Sequence, residues 1–179
     1  MTETLSEKLL RRFDEEELKQ QLRECSRLEN PIWRQTVFSL GRQVVAKRGY
    51  SNKSQKEYDI AMLLSDKGVR VPEMYGLMEI DIEGQSRPDC YLLMQEILGK
   101  EIKDVPEEDK EEADRQFRRE ILKVLRMGIK PSDAFFGRNA IFSEDRKLYL
   151  IDFEKWIVGA SEKDLKPYYN LIERRNPEQ

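Results

Sequence analysis

The segment LYLIDFEKW, residues 148–156, stays apolar through Ile151 and then meets one carboxylate, Asp152. A half-buried strand alternates apolar and polar residues, so this run reads as a buried strand whose end presents an acid. A second apolar run, VVAKR at 44–48, leads into a lysine, Lys47. The 179 residues include no histidine. That excludes a Ser-His-Asp triad, a Cys-His pair and every His-ligated metal site. The two cysteines, Cys25 and Cys90, lie far apart and form no metal or redox motif. Any catalysis therefore falls to carboxylates, lysine, arginine, or a metal held by oxygen ligands.

The composition sets the setting for that chemistry. The chain is 37% charged and 39% hydrophobic, which suits a globular protein with a heavily solvated surface. No segment approaches the roughly 18 consecutive apolar residues of a membrane span, so no membrane partner is expected. The N-terminal run MTETLSEKLLRRFDEEELKQ lacks the apolar core of a signal peptide, and a cytoplasmic, reducing location is the expectation. Net charge is −3, and no long Lys/Arg run offers nucleic acid a basic patch.

The elements that must position these residues follow from periodicity. Leu5, Leu9, Phe13, Leu18 and Leu22 predict an amphipathic helix over 4–24. Pro31 argues against a helix in SRLENPIWRQ, 26–35. TVFSL and QVVAKR predict two strands joined at Gly41-Arg42. A helix is expected from about Ser54 to Lys67, stopped by Gly68. GLMEIDI alternates as a strand, CYLLMQEI is a more apolar one, and Gly99 reads as a break. A long helix is expected from Pro106 to Met127, with Ala113, Phe117, Ile121 and Leu125 as its core stripe and acids in its first turn. After the irregular loop GIKPSDAFFGRN, 128–139, a hairpin is formed by AIF and LYLID. The tail from Phe153 reads as one or two helical turns with a frayed end.

In this order, VVAKR, EYDIAMLLSDKGVRVPEMYG, YLLMQEILG and LYLIDFEKW resemble the protein-kinase-like superfamily over roughly residues 36–156. That superfamily takes in protein kinases, the atypical Bud and RIO kinases, and the aminoglycoside and choline phosphotransferases. The resemblance implies an α+β, two-lobed protein-kinase-like fold with a small antiparallel β-sheet N-lobe and a truncated helical C-lobe. The expected division is an N-terminal amphipathic helix over 1–25, an N-lobe over 26–97 and a C-lobe over 98–179. The implied activity is ATP- and magnesium-dependent transfer of the γ-phosphate to a hydroxyl on a protein or small molecule. The alternative is a pseudokinase that binds nucleotide as a scaffold or regulator.

The resemblance also assigns roles. Lys47 would hold phosphates, positioned by Glu57, and magnesium would be held by Asn139 and Asp152. Adenine would lie against the backbone of Gln95 and Ile97, with Met94 as a lining residue. Asp133 would orient or deprotonate the acceptor. Each role has a plainer counterpart. Lys47 could be a snorkelling edge lysine, Asn139 an ordinary loop residue and Asp152 a turn cap. Glu57 could close a helix capping box with Ser54.

Three departures from the pattern stand out. Pro131 occupies the place of the loop histidine, and Asp133 lies six residues before Asn139 where the family has five, with Ala134 in the strict position. Either the loop carries one extra residue, accommodated near Phe135-Phe136-Gly137, or the base is missing. No Gly-x-Gly precedes TVFSL, which leaves Arg27 or Arg34 as possible phosphate contacts. The metal-strand motif is Asp-Phe-Glu instead of Asp-Phe-Gly, as in the atypical and small-molecule members, and only 27 residues follow Asp152, too few for a long activation segment and a helical substrate platform.

Overall fold

Two side-chain caps shape the start of the chain. The computed structural model describes residues 5–27, 37–133 and 139–174. Arg34, the side chain of Arg27 and the proposed bulge at Phe135-Phe136-Gly137 lie outside the described residues. The single helix expected over 4–24 is two helices, α1 (Glu7–Leu10) and α2 (Glu15–Arg27). Ser6 Oγ accepts the amide of Leu9 and caps α1. Asp14 Oδ1 accepts the amides of Glu16 and Glu17 at 3.0 and 3.3 Å and starts α2 afresh. The three acids that follow Asp14 then fall in a first turn, where the helix dipole favours them.

The described residues up to Asp59, with Pro72–Glu96, form one compact unit. Its sheet contains β1 (Val37–Gly41), β2 (Val44–Gly49), β3 (Met74–Ile80) and β4 (Asp89–Gln95) in the antiparallel order β1-β2-β4-β3. Arg42 and Gln43 join β1 to β2 with φ of 52° and 60°. A type I′ two-residue hairpin needs both residues left-handed, and neither arginine nor glutamine is a usual choice. Side chains hold this turn: Arg42 donates to Glu17 Oε1 at 3.1 Å and lies over the Phe13 ring, and Arg12 donates to the Arg42 carbonyl at 3.0 Å. One sheet face, with Val44, Ala46, Met78, Tyr91 and Leu93, packs with Leu9, Phe13, Leu18 and Leu22 in a continuous buried cluster. Strand residues alternate in direction, so Lys47 points to the opposite face from Val44 and Ala46.

The second unit takes in Ile60–Val71 and the described residues from Ile97 onward. The helix α3 (Ser51–Asp66) begins in the first unit and ends in this one. The second unit continues with β5 (Gly99–Glu101), α4 (Glu107–Arg126), β6 (Ile129–Lys130), β7 (Ala140–Ser143), β8 (Leu148–Leu150), β9 (Ile157–Val158) and α5 (Glu162–Arg174). The strands form a sheet in the order β5-β7-β8 and a separate β6-β9 pair. Gly99, expected as a break, starts β5. A Cβ there would lie 2.3 Å from the Phe142 carbonyl oxygen, so glycine is what lets β5 approach β7. The tail is longer than the one or two turns expected. Ser161 and Asp164 cap α5 reciprocally: Asp164 N donates to Ser161 Oγ and Ser161 N to Asp164 Oδ2, both at 3.3 Å. Burial of Leu165 and Ile172 then holds α5 through Pro167. Among the described residues, no helix is long and apolar enough to cross a membrane.

Candidate active site

The candidate residues fall into two groups, one in each unit. In the first, Lys47 sits in β2 opposite Leu92 of β4, and Glu57 lies in the second turn of α3. Lys47 Nζ is 2.7 Å from Glu57 Oε2 and 3.0 Å from Oε1. The two residues are 7% and 3% exposed. This separates them from surface ion pairs, which contribute little and are screened by salt. The competing capping-box arrangement does not form. The helix begins at Ser51, and the Tyr50 carbonyl accepts the amides of Lys53 and Ser54 at 2.9 Å each. Ser54 is instead a buried first-turn residue, and a Cβ on Gly49 would come within 2.9 Å of its Oγ. That close approach seats the start of α3 against the end of β2 and brings Glu57 level with Lys47.

Met94 and Gln95 close β4. Met94 pairs with Val45 and with Met74, and is 9% exposed. The Gln95 amide donates to the Glu73 carbonyl at 2.8 Å, and its side-chain Oε1 accepts from Glu73 N. The next amide, Glu96 N, donates to the Gln43 carbonyl at 3.0 Å. The backbone N–H of Gln95 is therefore committed within the protein. Ile97, half-buried, begins the second unit's contribution.

In the second unit, Asn139 and Asp152 flank the same end of the β7–β8 hairpin. Ala140 pairs with Leu150, and the Ile151 amide donates to the Asn139 carbonyl at 2.9 Å. Both residues are left-handed, with φ of 63° at Asn139 and 62° at Asp152. Asparagine and aspartate are the side-chain-bearing residues that tolerate this conformation best. Immediately after Asp152 the chain is anchored: Phe153 and Trp156 are fully buried, meet edge to face at 4.9 Å, and are joined by a bond from Trp156 N to the Phe153 carbonyl. One carboxylate and one amide oxygen at a hairpin end suit a hard cation that takes its remaining ligands from phosphate and water. No group of three or more Asp, Glu or Cys side chains that could enclose a metal occurs among the described residues.

Asp133 follows β6. Pairing of Ile129 with Val158 and Lys130 with Ile157 brings the residues after β6 alongside those before β9. Lys155 Nζ stands 3.5 Å from Asp133 Oδ2, while Asp133 Oδ1 is buried with no hydrogen-bond partner among the described residues. Burial pushes the Tyr168 phenol up from its ordinary value, and the Asp133 charge adds to that rise. Lys155 and Tyr168 thus belong to the surroundings of Asp133. The β6–β9 pair that makes them neighbours has only two residues per strand, too short for a periodic sequence signal.

No family model matches the chain, and no curated protein matches it. Solved structures do. One, described as WaaP in complex with acyl carrier protein, superposes with a TM-score of 0.54 at 13% identity, covering 98% of this chain and 90% of that one. Another, the bifunctional kinase-methyltransferase WbdD, gives a TM-score of 0.48 at 14% identity over 75% of this chain and 33% of that one. The chain has an α+β, two-lobed protein-kinase-like fold, with a small antiparallel sheet in one lobe and helices in the second.

Proposed function

We propose that this chain is an ATP- and magnesium-dependent phosphotransferase that moves the γ-phosphate to a hydroxyl of a protein or small molecule. The observation that carries the reading is the buried Lys47–Glu57 pair. Removing an ammonium and a carboxylate from water is costly, and well-packed apolar residues often serve stability as well or better. A pair kept on this strand and helix suits a task that needs a fixed cation, and phosphoryl transfer is such a task. In this reading Glu57 orients Lys47 toward the phosphates, and Met94 lines the base, which the backbone of Gln95 and Ile97 holds. Asn139 and Asp152 hold magnesium, which when bound offsets phosphate charge. Asp133 accepts the acceptor's proton as the acceptor oxygen bonds to the γ-phosphorus and the bond to the β–γ bridging oxygen breaks, releasing ADP. The Asp-Phe-Glu motif favours an atypical member of the superfamily.

The test follows transfer of labelled γ-phosphate by the purified chain to protein and small-molecule hydroxyls. Asp133→Ala is expected to lower the rate by about 10²- to 10⁴-fold, the usual worth of general-base assistance, with Mg-ATP affinity unchanged. A variant that retains the parent's full rate would remove Asp133 from the chemistry. A parent that binds Mg-ATP yet transfers nothing would make the chain a nucleotide-binding module.

A further inference from the structure

We infer that Gln116 of α4 is a positioning residue for Asn139 and Asp152, serving as a substitute strand partner for β8. The inference rests on the metal role proposed above. Tyr149 lies opposite Ile141 of β7, and the bonds that flank this pair, Ser143 N to the Lys147 carbonyl and Ile151 N to the Asn139 carbonyl, face β7. The intervening amides of Leu148 and Leu150 therefore point away from it. Among the described residues no further strand covers that edge. Leu148 N donates instead to Gln116 Oε1 at 3.0 Å, and Leu150 N to the Arg70 carbonyl at 3.0 Å. Gln116 Nε2 donates in turn to the Arg146 carbonyl at 3.0 Å. One side-chain amide thus accepts from residue 148 and donates to residue 146, as the C=O and N–H of one residue in a parallel neighbouring strand would.

The bridge is itself held. Arg70 Nη1 donates to the same Gln116 oxygen at 3.0 Å, and the second Nε2 hydrogen goes to Glu112 at 2.6 Å. Both donors and both acceptor positions of Gln116 are used. Arg70 N donates to Glu120 Oε2 at 3.2 Å, and Glu120 is fully buried. The strand so fixed ends at Leu150, two residues before Asp152, and sets the register that places Asn139 beside Ile151. Without Gln116 the buried Leu148 amide loses its acceptor, and β8, the strand that leads to Asp152, keeps along that edge only the Leu150–Arg70 bond of the two described.

The experiment uses the full chain and reads ATP affinity by calorimetry, once with saturating magnesium and once with EDTA. The ratio is the gain from magnesium. Gln116→Met keeps length and removes every hydrogen bond. It is expected to cut the gain about tenfold, the lower end for groups behind metal ligands, with affinity in EDTA equal to the parent's. Leu165→Ala, a buried change in α5, should lower the melting temperature and leave the gain intact, so lost stability alone does not imitate the result. If Gln116→Met does not fold, Gln116→Glu, which turns an acceptor toward the Arg146 carbonyl, is read in the same way. A full gain in a folded Gln116 variant overturns the inference. Asp152→Asn separates the two claims. If it loses the gain while Gln116→Met keeps it, only the positioning role fails. If it keeps the gain, the metal role fails and the positioning role with it.

Discussion

Lys47 is held by two interactions of different reach, the alternation of β2 and the carboxylate of Glu57. The first was legible in the sequence, because VVAKR places Lys47 on the opposite face from Val44 and Ala46. The second was legible only as one of two possibilities, since Ser54 and Glu57 have capping-box spacing. What decided between them was the start of α3 at Ser51, which puts Ser54 inside the first turn in close approach to Gly49. Such an approach depends on a neighbour that comes from another element and has no signature of its own. At this scale the expected outcome is that Lys47→Ala weakens ATP binding more than adenosine binding, measured by calorimetry. A phosphate cation contributes nothing to a nucleoside without phosphates. Equal losses for both would mean that Lys47 supports the strand and not the ligand.

Periodicity described α4 well, because its face is long enough to repeat, and it found β3 two residues late, at 76–82 against Met74–Ile80, while β4, β7 and β8 were legible as apolar runs. The elements it missed are short or take their form from a distant partner. The strands β6 and β9 have two residues each. Gln116, in a helix rich in charged residues, reads as surface until β8 is seen beside it. The longer α5 was in principle readable from Ser161 and Asp164, whose spacing is a capping signal, although a proline, Pro167, lies inside the helix. Gly99 carries the clearest consequence for an element. Gly99→Ala places a methyl 2.3 Å from the Phe142 carbonyl oxygen, and a backbone atom cannot rotate away. The expected cost is about 1–3 kcal/mol, the usual penalty for overpacking, read as a lower denaturation midpoint with an unchanged urea slope. An unaltered midpoint would show that β5 is free to shift.

For the whole molecule, the fold was legible because separate weak segments occurred in one order, while the loop 128–139 was not, because a six-residue offset says nothing about where Asp133 points. One acidic group connects that scale to solution conditions. Burial alone would raise the Glu120 carboxyl, but bonds from Lys123 and from Arg70 N outweigh it and hold the group below its ordinary value. A lowered folded-state value means that the contribution to stability is complete above the ordinary carboxylate value and is lost as pH falls through the folded one. Thermal melts on lowering pH should therefore show a loss of stability in the acid range that is shallower in Glu120→Gln, which keeps an acceptor for Arg70 N but no charge. An identical acid profile in the variant would assign the loss to other carboxylates.

The account's central claim is that the acid at the end of LYLIDFEKW is a ligand for the metal that accompanies ATP. Its most direct test is calorimetric titration of the full chain and of Asp152→Asn with ATP in saturating magnesium, alongside melting curves that show both to be folded. The parent is expected to bind Mg-ATP, and the variant, which keeps the shape of the side chain and loses the anion a hard cation requires, is expected to lose most of that affinity at an unchanged melting temperature. Equal affinity for Mg-ATP in the two folded proteins would contradict the claim and leave Asp152 as a left-handed turn residue.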